Sequence, residues 1–228
     1  MATMIAIIDS GIANLRSVQK GFERVGYEAK IVEEPRVLKE ARAIVLPGVG
    51  AFRDGITKLQ EGGFIEPLLQ ALEEGKPILG ICLGLHFLFS ESEEFGLHKG
   101  LDIIKGKVLR FPGQTSDLRP QTSDLRPQTS DKQPSAKLKI PHMGWNQVWV
   151  QKEAPIFKGI PNGSYFYFVH SYYVVPEDKE MVATTTHYGI SFPSSIWREN
   201  LYATQFHPEK SQALGLRILK NFGDLSRC

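Results

Sequence analysis

Along the first half of the chain, short unbroken apolar runs alternate with stretches of helical spacing. MIAIID (Met4–Asp9) is an apolar run closed by Ser10-Gly11 and predicts a buried strand. Asn14 then stands as a cap ahead of LRSVQKGFERVG, where Leu15, Val18, Phe22 and Val25 recur at helical spacing and Gly26 marks the stop. AKIVE and AIVLPGVG predict two further strands. Residues 51–75, AFRDGITKLQEGGFIEPLLQALEEG, read as a helix interrupted near Gly62-Gly63 and Pro67. KPILGIC is another buried strand, and LHFLFSESEEF continues it as a helix. Continuous apolar strands separated by helices predict an α/β fold with a parallel sheet covered on both faces.

The second half changes period. KGKVLRF, NQVWV, YFYFVHSYYVV, MVATTTHY, SSIWR and LYATQF are short, rich in β-branched and aromatic residues, and separated by turns. They predict strands joined as hairpins. QALGLRILKNFGDL closes the chain as a helix. No internal boundary stands out, so the organisation expected is one domain over residues 1–228.

One segment obeys neither period. Gln114–Pro120 reads QTSDLRP, Gln121–Pro127 repeats it letter for letter, and Gln128–Pro134 reads QTSDKQP. A proline in every copy and at most one leucine rule out a helical seam. Such a composition buries too little apolar surface to offset its ordering entropy. The expectation is a flexible surface insertion at residues 113–137.

Composition narrows the function classes. The 228 residues carry a net charge of +2 with no Lys/Arg block, which argues against nucleic acid as a partner. No apolar run approaches the roughly 18 residues of a membrane span, and the start has no basic region of a signal peptide. The two cysteines, Cys82 and Cys228, make neither a disulfide framework nor a metal spacing. A reducing cytoplasm is the setting expected, with no metal and no cofactor.

Three stretches carry candidate chemistry. In GICLGLH, Cys82 sits between Gly80 and Gly84 where a strand turns into a helix. Small neighbours let the backbone take a strained turn that lifts a nucleophile off the sheet, and the helix start beyond favours a thiolate. A buried inert cysteine is the alternative. In QFHPEK, His207 and Glu209 flank Pro208, which fixes a local turn or extension aiming both at one point; a solvated turn is the alternative. PGVG (Pro47–Gly50) ends a buried strand, and one peptide rotation there turns an N–H donor or a carbonyl toward a site. Taken alone it is also simply a glycine turn.

In that order, PGVG, GICLG and QFHPEKS resemble the class I glutamine amidotransferases, over nearly the whole chain except the repeat. PHMGWNQV (Pro141–Val148) and YFVHSYY (Tyr167–Tyr173) are similar to one branch of that family, the glutaminase subunits of imidazole glycerol phosphate synthases. The resemblance implies a flavodoxin-like three-layer sandwich, its mostly parallel central sheet extended by antiparallel strands in the second half. It implies a Cys82–His207–Glu209 triad that hydrolyses glutamine, with oxyanion donors at the backbone N–H groups of Val49 and Leu83. It implies glutamine contacts at Gly50, His86, His170, Ser171 and Tyr172. Ammonia would pass to a barrel-shaped cyclase subunit, bound as a heterodimer through a surface that includes Trp145 and Lys210.

The chain departs from the family pattern in three places. Leu85 and His86 stand where methionine and glutamine are common, and a histidine at 86 can serve substrate through a ring N–H. Ser10 and Ala13 replace tyrosine and glycine, and the repeat has no counterpart. Two other readings compete: another glutaminase subunit, such as that of anthranilate synthase, against which PHMGWN argues, and a binding subunit that docks a synthase without hydrolysing glutamine. The intact Cys82, His207 and Glu209 argue against the second.

Overall fold

The computed structural model describes residues 4–9, 11, 14–112 and 138–226. In chain order the first elements are β1 (Ile5–Ile8), α1 (Leu15–Arg24), β2 (Ala29–Val32), β3 (Ala43–Gly48), α2 (Phe52–Glu61), α3 (Ile65–Glu73), β4 (Ile78–Cys82) and α4 (Leu83–Phe87). Then come β5 (Phe89–Ser92), β6 (His98–Lys99), β7 (Ile104–Arg110), β8 (His142–Val150) and β9 (Ser164–His170). The last are β10 (Tyr172–Pro176), β11 (Val182–Tyr188), β12 (Ile190–Arg198), β13 (Leu201–Thr204) and α5 (Gln212–Leu225).

The large sheet runs β2-β1-β3-β4-β13-β12-β11-β8-β9. Its first five strands are parallel, in a doubly wound order that leaves the crevice for a site at their carboxyl ends. The remaining four add antiparallel pairs. The parallel strands are apolar on both faces because each face meets helices. Ile5, Ile7, Val45, Leu79 and Ile81 pack with Phe22 of α1 and Phe222 of α5, whereas Ala6, Ile8, Ile44 and Leu46 pack with Leu59 of α2 and Leu68 of α3. Three layers follow from that alternation.

A smaller sheet, β10-β7-β5-β6, sits beside α4 and shares its core through Phe89, Ile104, Val108 and Val174. Here the structure corrects the sequence reading of LHFLFSESEEF as one helix. The helix ends at Phe87, and Phe89–Ser92 form a strand paired with β7 and β6. Tertiary pairing overrides local helical spacing there.

Two further expectations change. Pro67 does not break α3, because it lies in the first turn, where its missing N–H has no intrahelical acceptor. Asn14 occupies the cap position of α1 without a side-chain capping bond. The repeat, Ser10, Ala13 and Cys228 lie outside the described residues. No described helix is long and apolar enough to cross a membrane.

Candidate active site

Cys82 ends β4 and precedes α4 with φ 55° and ψ −108°. That left-handed backbone costs a non-glycine residue on the order of 1–3 kcal/mol and is characteristic of sharp strand-to-helix turns at functional sites. The sequence makes room for it on both sides. A Cβ on Gly84 would stand 1.8 Å from the Leu46 carbonyl oxygen, and one on Gly80 would stand 3.0 Å from that of Gly84. Glycine at 84 lets the first turn of α4 sit directly on β3.

Strand register then gathers the other groups. β3 pairs with β4 so that Gly48 faces Cys82, and Val49 and Gly50 continue past the cysteine. Gly50 has φ 94°, a turn suited to glycine, and Val49 is 37% exposed at the cleft edge. Leu83, the first residue of α4, has a backbone N–H that helix geometry leaves without an intrahelical acceptor.

β13 pairs with β4 from the other side, matching Thr204 to Ile81, so the chain runs on past Cys82 to His207. His207 leaves the strand extended, and Pro208–Lys210 form a single 3₁₀ turn. The turn is stapled to its surroundings: His207 N donates to Tyr167 O at 2.9 Å, and Ser211 Oγ to His207 O at 2.6 Å. Gly215 lets α5 close over it, since a Cβ there would lie 1.9 Å from the Pro208 oxygen.

The turn sets His207 Nδ1 2.8 Å from Glu209 Oε1, with both side chains buried. Burial alone would press the imidazole pKa down. Interaction with the Cys82 sulfur, and then with the Glu209 carboxylate, outweighs it and raises the pKa to about 10. His207 Nε2 has no hydrogen-bond partner of regular geometry among the described residues, and it faces the Cys82 sulfur.

These groups open on a cleft of about 560 Å³. Val49, Gly50, Cys82, Leu83, His86, His170, Ser171, Tyr172 and His207 all line it, so ten of the twelve residues singled out in the sequence, with Glu209 behind His207, meet at one place. Three charged wall residues carried no sequence signal: Glu93, Glu94 and Arg110, from the small sheet and the turn after β5. Opposite charges on one wall complement an ammonium and a carboxylate of an amino acid. Glu94 also accepts from Phe52 N at 2.8 Å at the start of α2, and burial raises its pKa. That contact could not be read from spacing, since 42 residues separate the partners.

His86 and His170 are buried and neutral at pH 7. His86 is held down to about 4 by burial, against a hydrogen bond to Gln205 Oε1. His170 is held well below its ordinary value by burial, and its Nδ1 meets Tyr172 O at 2.7 Å.

Trp145 and Lys210 lie outside the cleft but together. Trp145 on β8 is 45% exposed and meets the Tyr167 ring edge-on, with centroids 6.2 Å apart. Lys210 Nζ lies 5.9 Å from the same ring. Tyr167, facing Trp145 in register, was not singled out by sequence.

Residues 6–224 match the family model for glutamine amidotransferase class-I, and the chain belongs to that family. Among curated relatives, an imidazole glycerol phosphate synthase subunit HisH from Syntrophotalea carbinolica is 58% identical, over 97% of this chain and all of that one. A subunit of the same name from Geobacter sulfurreducens is 51% identical, over 98% of this chain and 99% of that one. A solved structure, PurLQS from Thermotoga maritima, aligns with a TM-score of 0.68 over 100% of this chain and 98% of that one. At 16% identity it speaks for the fold alone.

Proposed function

We propose that this chain is the glutaminase subunit of an imidazole glycerol phosphate synthase, acting through Cys82, His207 and Glu209. The observation that carries the mechanism is the register of β4 between β3 and β13, which brings a strained cysteine, a carboxylate-held imidazole and the Val49–Gly50 turn into one cleft. Identity to relatives bearing that subunit's name supports the assignment of the reaction.

The Cys82 thiolate attacks the side-chain carbonyl carbon of glutamine, forming a C–S bond and placing negative charge on the oxygen. The N–H groups of Leu83 and Val49 receive that charge; losing one such donor costs hydrolases roughly 2.7–4 kcal/mol. His207, protonated at rest, gives its proton to the departing nitrogen as the C–N bond breaks, and ammonia leaves. The glutamyl thioester remains. Water then attacks it, His207 takes the water proton, and the C–S bond breaks to release the glutamate product and re-form the Cys82 thiolate beside the protonated His207. Glu209 holds the imidazole throughout. Gly50, His170, Ser171 and Tyr172 hold the substrate, His86 lines the cleft beside them, and Glu93, Glu94 and Arg110 are placed for its charged end.

Ammonia passes to a barrel-shaped cyclase subunit, which forms imidazole glycerol phosphate and aminoimidazole carboxamide ribotide. Trp145 and Lys210, joined by Tyr167, form part of the docking face. That face runs along β9 from Tyr167 to Val169, which lines the cleft, so a docked partner borders the site of ammonia release.

Mixing the chain with the cyclase subunit, its ribotide substrate and glutamine tests the assignment. Glutamate release matched by imidazole glycerol phosphate is the expected result. A complex that forms and uses free ammonia but releases no glutamate would make the chain a docking subunit only.

A further inference from the structure

The ring at position 86 faces a partner whose other end reaches the nucleophile. Because Thr204 pairs with Ile81, the next residue, Gln205, lies alongside Cys82. Gln205 is fully buried, with Oε1 2.8 Å from His86 Nε2 and Nε2 3.9 Å from Cys82 Sγ. A buried neutral imidazole has a single N–H. When that N–H is given to Gln205 Oε1, the amide turns its NH₂ group toward the sulfur. The reverse arrangement would place Oε1 there instead, which accepts from a thiol and opposes a thiolate.

We propose that Gln205 is a positioning residue for Cys82: its side-chain N–H donates to the sulfur and favours the attacking thiolate, and His86 acts on the nucleophile by fixing the Gln205 amide. The proposal rests on the reading of Cys82 as nucleophile. It also gives His86 a task that uses up its N–H, so the ring has no second N–H for substrate. The sulfur otherwise has Val169 O at 3.9 Å, which accepts from a thiol and gives nothing to a thiolate. Donation from Gln205 therefore biases the proton toward His207.

The test reads the nucleophile directly. Iodoacetamide alkylation of Cys82 is followed against pH in the full chain, by the mass of its peptide, which separates it from Cys228. Gln205→Met, close in volume and without a donor, and His86→Phe, without a ring N–H, are expected to move the alkylation midpoint up by about half a pH unit or more, the scale of one neutral hydrogen bond. His86→Gln, whose amide can still donate to Oε1, is expected to hold the parent midpoint within experimental error. In the cyclase complex, Gln205→Met lowers kcat for glutamine and leaves KM nearly unchanged. An unmoved midpoint in a folded Gln205→Met chain overturns the proposal, as does a His86→Phe variant altered in KM alone. Should Gln205→Met fail to fold, the contrast between His86→Phe and His86→Gln decides the same point. Alkylation needs no turnover, so failure of the glutaminase assignment leaves this result readable.

Discussion

The imidazole of His207 and the carboxylate of Glu209 meet at 2.8 Å across a single proline, with the two side chains 2% and 1% exposed. The folded imidazole keeps its proton up to about pH 10, above the ordinary histidine value of 6.5. Stability from holding that proton, against the Cys82 sulfur first and the Glu209 carboxylate second, is therefore fully present below about pH 6.5 and is lost as pH rises through about 10. Glu209→Gln keeps the shape and removes the charge. It should lower unfolding free energy by ~2 kcal/mol at pH 6, with the difference from the parent contracting toward pH 10. Urea titrations of both chains across that range measure it. A constant difference would mean that Glu209 does not hold the imidazole's proton.

Gly84 predicts a steric outcome. An alanine Cβ would be driven to 1.8 Å from the Leu46 oxygen, a backbone atom that cannot swing aside. Gly84→Ala should cost ~3 kcal/mol or more, at the upper end of overpacking effects, and should slow Cys82 alkylation as the turn shifts. An unfolding midpoint equal to the parent's would show that α4 and β3 are free to separate.

The Val49–Gly50 turn predicts a regulated site. Glutamine turnover by the isolated chain should be low and should rise at least about tenfold when the cyclase subunit and its ligand favour the donor-facing peptide. Gly50 has φ 94° with nothing within 4 Å of an added Cβ, so Gly50→Ala introduces backbone strain without a clash. A strain of roughly 1–2 kcal/mol should reduce turnover of the complex about fivefold or more. Equal turnover with and without the partner would remove the gate.

The repeat predicts tolerance. Each doubling of a flexible loop adds only about 0.6 kcal/mol of closure entropy. Deleting Gln121–Pro127 should leave unfolding, partner affinity and coupled ammonia transfer unchanged within error. A tenfold loss of partner affinity, ~1.4 kcal/mol, would make the segment part of the interface.

What was legible in the sequence follows from range. Ile5–Ile8 and Ala43–Gly48 declare buried parallel strands because apolar faces on both sides are a local property. GICLG and QFHPEKS mark the site because the cysteine turn and the His–Pro–Glu turn are each encoded within a few residues. Phe89–Ser92 was misread because its strand exists only through pairing with Ile104–Arg110. YFYFVHSYYVV looked continuous, yet at Ser171 it passes from the large sheet to the small one. The contact of Gln205 with His86, 119 residues away, leaves no mark on either neighbourhood.

The most direct test of the account is Cys82→Ser assayed in the cyclase complex with two nitrogen sources in parallel. The two side chains differ by one atom, so folding and partner binding should persist. With glutamine, glutamate release and imidazole glycerol phosphate formation should both vanish; with free ammonia, product should form at the parent's rate. Glutamate still released from glutamine by the serine variant would contradict the assignment of Cys82 as the nucleophile.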